Sequence, residues 1–163
     1  MRPYRWLTLA AGVVLVAILV VPSFLRWKER TPPNGCLVNL HMLSFAMRMY
    51  AADGDGRLPL ANRWVSCLVP SYISNDDVLK CPDDHRTGRC SYGMNAELSA
   101  RTVASVGDDA SAVLLYETGH PRDNPFAGPE DVAVPPRHEW GNNYCYLDGS
   151  VRAWRQPPSF SVR

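Results

Sequence analysis

The sequence predicts an α+β fold in which one amphipathic helix packs on a small antiparallel sheet ending in a β-hairpin. Three observations carry this. Residues 36–52 repeat apolar side chains at helical spacing, residues 112–117 form an apolar run bounded by turn residues, and Asp148-Gly149 separates two strand-like segments. The order of helix, irregular segment and strands belongs to the α+β class rather than to alternating α/β.

The chain opens with Leu7 to Leu25, a run without a charged residue. At about 1.5 Å per helical residue it can cross a hydrocarbon layer of about 30 Å. Arg2 and Arg5 precede it, Arg26, Lys28 and Arg30 follow, and Trp6 and Trp27 bracket it at interfacial depth. Residues 1–30 therefore read as a single-pass membrane anchor with basic flanks. A cleaved signal peptide wants a shorter apolar core and a small-x-small cleavage site, and this segment ends in Val21-Pro22-Ser23-Phe24-Leu25. Basic residues at both ends leave the orientation open.

Residues 31–35 (Thr31-Pro32-Pro33-Asn34-Gly35) form a proline-rich break, with Asn34 able to cap the helix that follows. That helix is expected from about Cys36 to Ala52. Cys36, Leu40, Leu43, Met47 and Tyr50 line one stripe, while His41 and Arg48 lie off it. Asp53-Gly54-Asp55-Gly56 ends the helix and has two readings. It is a turn whose carboxylates bond local N–H groups, or the opening of a calcium loop with Asp53 and Asp55 as metal ligands. Calcium needs six to eight oxygens, and Arg57-Leu58-Pro59 does not continue the pattern.

Between 63 and 79, Trp64, Leu68, Val69, Tyr72, Ile73 and Val78 supply apolar contacts. Lys80 to Asp84 is a turn, Ser91 to Asn95 a short strand, and Ala112 to Glu117 the strongest internal strand. Residues 119–137 are a Pro/Gly-rich loop of a length that is usually functional or mobile. In the hairpin, a two-residue Asp148-Gly149 loop fits a type I′ turn. This pairs 147 with 150, 146 with 151 and 144 with 153, and puts Tyr144, Tyr146, Val151 and Ala153 on the buried face. The globular domain spans 36–155, and 156–163 is a tail.

A net charge of +1 with scattered Lys and Arg argues against nucleic acid as a partner. Fourteen prolines and eleven glycines imply short regular elements joined by many turns. Five cysteines (Cys36, Cys67, Cys81, Cys90 and Cys145) leave at least one unpaired within the chain. Disulfides in an oxidising compartment suit a membrane-anchored domain. A zinc site around Cys81, His85 and Cys90 is the rival, without any Cys-x-x-Cys pair to support it.

Glu117, His138 and Asp148 are the candidates for a polar cluster. Their readings are structural (Asp148 making the turn, His138 bonding a loop backbone), a cation site, or an acid–base pair. There is no Gly-x-Ser-x-Gly elbow, no Ser-x-x-Lys and no phosphate loop. No cofactor is called for beyond the calcium reading.

Several ordered motifs then align with one family. His138-x9-Asp148-Gly149 followed by Ser150-Val151 resembles the H-x9-DG C-terminal signature of prepilin-like proteins of the planctomycete type. Cys36-x-x-Asn39-Leu40, Met49-Tyr50-Ala51-x-Asp53-x-Asp55-Gly56-Arg57-Leu58-Pro59, Leu79-Lys80-Cys81-Pro82-x-Asp84 and Ser91-Tyr92-Gly93-Met94-Asn95 agree. The block Tyr50 to Pro59 is also similar to the segment after the long helix in the major pseudopilin of type II secretion. The resemblance covers about 34 to 154. It implies a pilin-like architecture, with a helix half in the membrane and half on an antiparallel sheet. It also implies a bridge between Cys36 and Cys81, where the family carries its usual pair. The sequence departs from the family at its start: no Gly-Phe-Thr-Leu-Ile-Glu junction precedes the apolar run, and no glutamate lies inside it.

The expected function is that of a non-enzymatic, membrane-anchored, pseudopilin-like protein in the bacterial inner membrane, its globular domain periplasmic. Its partners would be the membrane, other copies of itself, or proteins of a secretion or pilus-like system. Trp64, Trp140 and loop 119–137 are the expected contact surface. The alternative is a tethered solute- or carbohydrate-binding module that uses the pilin fold as a scaffold.

Overall fold

A computed structural model describes Val14, residues 35–107 and residues 110–162. The chain divides into Met1–Asn34 and a compact unit from Gly35 to Arg163. The expected anchor, Leu7 to Leu25, lies outside the described residues apart from Val14. Among the described residues no helix is long and apolar enough to cross a membrane.

The compact unit is α+β, with helices α1 (Gly35–Asp53) and α2 (Trp64–Leu68). Five strands follow: β1 (Cys90–Asn95), β2 (Val113–Arg122), β3 (Phe126–Ala127), β4 (Asn142–Tyr146) and β5 (Val151–Trp154). They form one sheet in the order β3-β1-β2-β4-β5. The sheet is mixed rather than wholly antiparallel, because β3 lies parallel to β1, Met94 opposite Phe126. The remaining pairs are antiparallel.

α1 matches its predicted span within a residue at each end. Cys36, Leu40, Leu43 and Met47 are buried as the spacing requires, and Tyr50 is half-buried. They pack with Trp64, Leu68, Leu79, Tyr92, Met94, Leu114, Leu115, Cys145 and Leu147 into the main core. Leu114 and Leu115, adjacent in sequence, both join this core because β2 has a bulge between Val113 and Leu115. Tyr116 crosses β1 at Gly93, where a Cβ would stand 2.5 Å from the tyrosine ring. This close approach accounts for the glycine within Ser91-Tyr92-Gly93-Met94-Asn95.

The hairpin register differs from the sequence expectation by one residue. Tyr144 faces Arg152, Cys145 faces Val151, and Tyr146 N–H donates to Ser150 O. Gly149 has φ 88° while Asp148 does not enter the left-handed region, and Gly149 N–H donates to Tyr146 O at 2.9 Å. The connection is thus a three-residue loop, Leu147-Asp148-Gly149, instead of a two-residue type I′ turn. A one-residue slip inverts the faces of a paired strand. Val151 accordingly joins Cys145 and Leu147 towards α1, and Tyr144 and Tyr146 turn to the opposite face.

That opposite face is also covered. Val113, Tyr116, Val132, Tyr144, Tyr146 and Phe160 form a second apolar cluster. Phe160 packs its ring 5.1 Å from Tyr116 and 6.2 Å from Tyr144. Its carbonyl accepts from Asn95 Nδ2 at 2.9 Å, and Val162 N–H donates to Glu97 at the same distance. Residues after β5 are therefore part of this second core. Phe160→Ala should lower the unfolding free energy by about 3 kcal/mol, the range for deleting a buried ring. Urea denaturation of the full-length protein checks this, and an unchanged midpoint would mean that the segment contributes nothing to the fold.

Candidate functional site

Two buried carboxylates organise the side of the sheet where the turn at Lys80–Asp84, β2 and β4 meet. Glu117, in β2, has no exposure. Burial of an ionised carboxylate requires compensating donors, and three are present. His138 Nε2 lies 2.9 Å from Oε1, Asn143 Nδ2 donates to Oε1 at 3.0 Å, and Asn143 N–H donates to Oε2 at 2.9 Å. Asp84 is the second. Arg86 Nε donates to its Oδ1 at 2.8 Å, and Arg137 Nη2 stands 3.1 Å from its Oδ2. Burial acts to raise the Asp84 pKa, but the Arg86 bond, with Arg137 beside it, outweighs that and holds the carboxyl below its ordinary value.

Arg137 links the two. Its side chain is 3% exposed, and it also donates to Thr118 O at 2.8 Å and Ser91 O at 3.2 Å. It thus pins β1, β2 and the 80s turn at one point. His138, the next residue, aims its ring at both carboxylate-bearing segments: Nε2 at Glu117 and Nδ1 at Asp83 Oδ2, 3.1 Å away. The Glu117 hydrogen bond raises the His138 pKa against the opposing effect of burial, and the charge of Asp83 adds to the rise. With a carboxylate oxygen at each nitrogen, the surroundings favour the protonated ring, which can donate to both. Trp140 stacks on the ring, centroids 5.1 Å apart and planes within 4°. The turn that brings Trp140 there closes at Gly141, whose φ of 124° suits glycine.

Next to His138 lies the bridge between Cys36 and Cys81, Cα atoms 4.9 Å apart. Asn39 Nδ2 donates to Lys80 O at 2.9 Å and holds α1 against the same turn. This gives a role to both members of Cys36-x-x-Asn39. Closing the 45-residue separation should contribute about 2–4 kcal/mol through restriction of the unfolded chain. Cys67, Cys90 and Cys145 are free thiols. Burial pushes the last two up to about 12, which keeps them protonated and unreactive.

The predicted site residues separate into three groups. Glu117 and His138 meet as expected. Asp148 does not join them: it sits at the hairpin loop beyond the far end of β4, where its Oδ1 accepts from Ser150 N–H at 2.8 Å and its carbonyl from Arg48 at 3.3 Å. Asp53 accepts from Tyr72 OH at 2.8 Å, and Asp55 occupies a turn at φ 53°. Among the described residues no third His, Cys or carboxylate converges on Asp53 and Asp55. His85 and Cys90 likewise belong to no such group. Trp64 is no contact surface, being fully buried with Nε1 donating to Pro125 O at 2.8 Å; Trp140 is 42% exposed.

Loop 119–137 is folded rather than open. β2 runs on to Arg122 and β3 returns alongside β1. Asp131 then anchors the remainder, accepting from Thr118 Oγ1 at 2.6 Å and Tyr116 OH at 3.1 Å and facing His120 Nδ1 at 2.8 Å.

Sequence reasoning missed Asp83, Asp84, Arg137 and Asn143 as members of the cluster. Asp84 closes the Leu79–Asp84 motif and Arg137 stands beside His138, but nothing local couples the turn at 84 to position 137. Comparison with protein-family models, curated proteins and solved structures finds no match to this chain.

A raised folded-state pKa stabilises the protein below the unfolded value, about 6.5 for histidine, and that contribution is lost as pH rises through the folded value. The melting temperature of the oxidised full-length protein should therefore fall as pH is raised from about 6.5 into the alkaline range. His138→Gln should flatten this segment of the profile. Parallel profiles for the two proteins would show that His138 does not titrate with folding.

Proposed function

We propose that this protein is a non-enzymatic, membrane-anchored, pilin-like protein that works by assembly or binding in a secretion or pilus-like system. One observation carries the reading. α1 is apolar on its outward face as well as its inward one. Val38, Met42, Phe45 and Met49 recur at spacings of four, three and four and are 46%, 54%, 66% and 43% exposed. A surface helix ordinarily puts polar residues on that face, and a contiguous exposed apolar stripe marks a contact surface.

The ordered motifs and the apolar run before α1 support the same reading, since a pilin-like subunit presents its long helix to neighbours. His41, Tyr72, Ile73 and Val78 border the stripe and line a cleft of about 370 Å³ beside Met42 and Phe45. This cleft adds depth to an otherwise convex helix surface. The binding-module alternative uses loop 119–137, whose buried carboxylate, Asp131, is already engaged by Tyr116, Thr118 and His120 of β2.

Full-length protein in detergent should form concentration-dependent oligomers by analytical ultracentrifugation. Phe45→Asp should abolish them without lowering the melting temperature, because Phe45 is exposed. A wild-type protein that stays monomeric across the concentration range, and a stripe variant indistinguishable from it, would remove self-assembly from the reading.

A further inference from the structure

Cys36, Cys81, Asp83 and His138 come from three separate stretches of chain, yet their ligand atoms lie within 4.8 Å of one another. Two sulfurs, one imidazole nitrogen and one carboxylate oxygen are a donor set of the kind zinc accepts with four ligands. Around a tetrahedral zinc with Zn–S of about 2.3 Å, two sulfurs stand about 3.8 Å apart. Opening the bridge would have to bring them to that distance, which is within the 4.8 Å span the four groups already occupy.

Four further features fit a metal site. His138 turns Nδ1 inward to Asp83, while Nε2 donates to Glu117, which is itself held by Asn143. A ligating histidine oriented by a carboxylate on its other nitrogen is the usual outer arrangement of a zinc site. Cys36 is the second residue of a 19-residue helix, where the N-terminal dipole favours the thiolate. Lys80, Arg86 and Arg137 converge on Asp84, next to Asp83, and offset the anionic charge of two thiolates and a carboxylate around a divalent ion. The His138 and Cys side chains are buried while Asp83 is 58% exposed, which provides an entrance.

We infer that the Cys36–Cys81 bridge and a Cys36/Cys81/Asp83/His138 zinc site are alternative, redox-exchanged states of one locus. A dithiol reductant gives two electrons and two protons to the S–S bond, which breaks into two thiols as the reductant becomes a disulfide. Zn²⁺ then binds, displacing both thiol protons and, where the imidazolium is charged, the Nδ1 proton. A disulfide oxidant reverses the change: its S–S bond accepts the two electrons and breaks into two thiols with protons from solvent, the two thiolates couple, and Zn²⁺ leaves. Neither state requires the chain to assemble with other copies.

The test uses full-length protein, reduced with dithiothreitol, desalted without oxygen and titrated with Co²⁺, then Zn²⁺. Expected are one Co²⁺ per chain, intense tetrahedral d–d bands with thiolate charge transfer, loss of both on adding Zn²⁺, and neither in the oxidised protein. Asp83→Ala, which removes one ligand at a position 58% exposed, should weaken Co²⁺ binding at least about 10-fold, the scale of losing a supporting group. Cys36→Ser should weaken the charge-transfer bands, with Cys81 left as the single thiolate of the site. Absence of thiolate–cobalt bands in the reduced protein overturns the inference. So does equal affinity in Asp83→Ala, which would mean that the metal is not held by this set of ligands. A reduced chain that unfolds and is not restored by Zn²⁺ also overturns it.

Discussion

The constraint on which the rest of this domain depends is the burial of Glu117 in the middle of the sheet. A carboxylate with no exposure, in the strand between β1 and β4, must be met by hydrogen-bond donors or the sheet does not close around it. Asn143 supplies them from β4 and His138 from the turn before it. Once His138 is committed to Glu117, the adjacent Arg137 is directed at Asp84, and the 80s turn is drawn onto the sheet. The bridge and Asn39 then carry the same turn to α1. Helix, turn and sheet are thereby joined through a short run of charged and sulfur-bearing side chains.

This explains the kind of residue at the sequence motifs. The histidine that opens the H-x9-DG pattern and the Asp-Gly that closes it serve separate ends of β4. One neutralises a buried charge; the other turns the chain. Their separation in this chain spans the strand between them, with no shared chemistry needed. The Asn95 amide works similarly, joining β1 to β2 through Val113 O and to the segment after β5 through Phe160 O.

The helix and the main strands were legible because they depend on local periodicity. α1 needs only its stripe and its flanking turns, and the apolar stretch 112–117 needs only its boundaries. The hairpin's position was equally plain, but its register was not. Asp-Gly serves both a two-residue loop and a three-residue loop with glycine in the left-handed region, and the choice inverts a strand. The continuation of β2 through Gly119-His120-Pro121-Arg122 was hidden by residues that ordinarily end strands. The polar cluster was half visible. Glu117 and His138 could be named as chemistry-bearing residues, whereas Asp83, Asp84 and Asn143 gain meaning only when segments 26 to 55 residues apart are brought together by the fold.

The placement of the bridge also has a mechanical consequence. Cys36 is the second residue of α1, so a pull transmitted along the chain preceding Gly35 reaches a covalent crosslink almost at once. The load passes sideways into the 80s turn and, by way of Asp84 and Arg137, into the shear-resistant middle of the sheet. It bypasses the helix's own hydrogen bonds, which would otherwise peel open one turn at a time from the loaded end. With the bridge closed, the domain is gripped at its strands; with the bridge open, the same pull would act on α1 first.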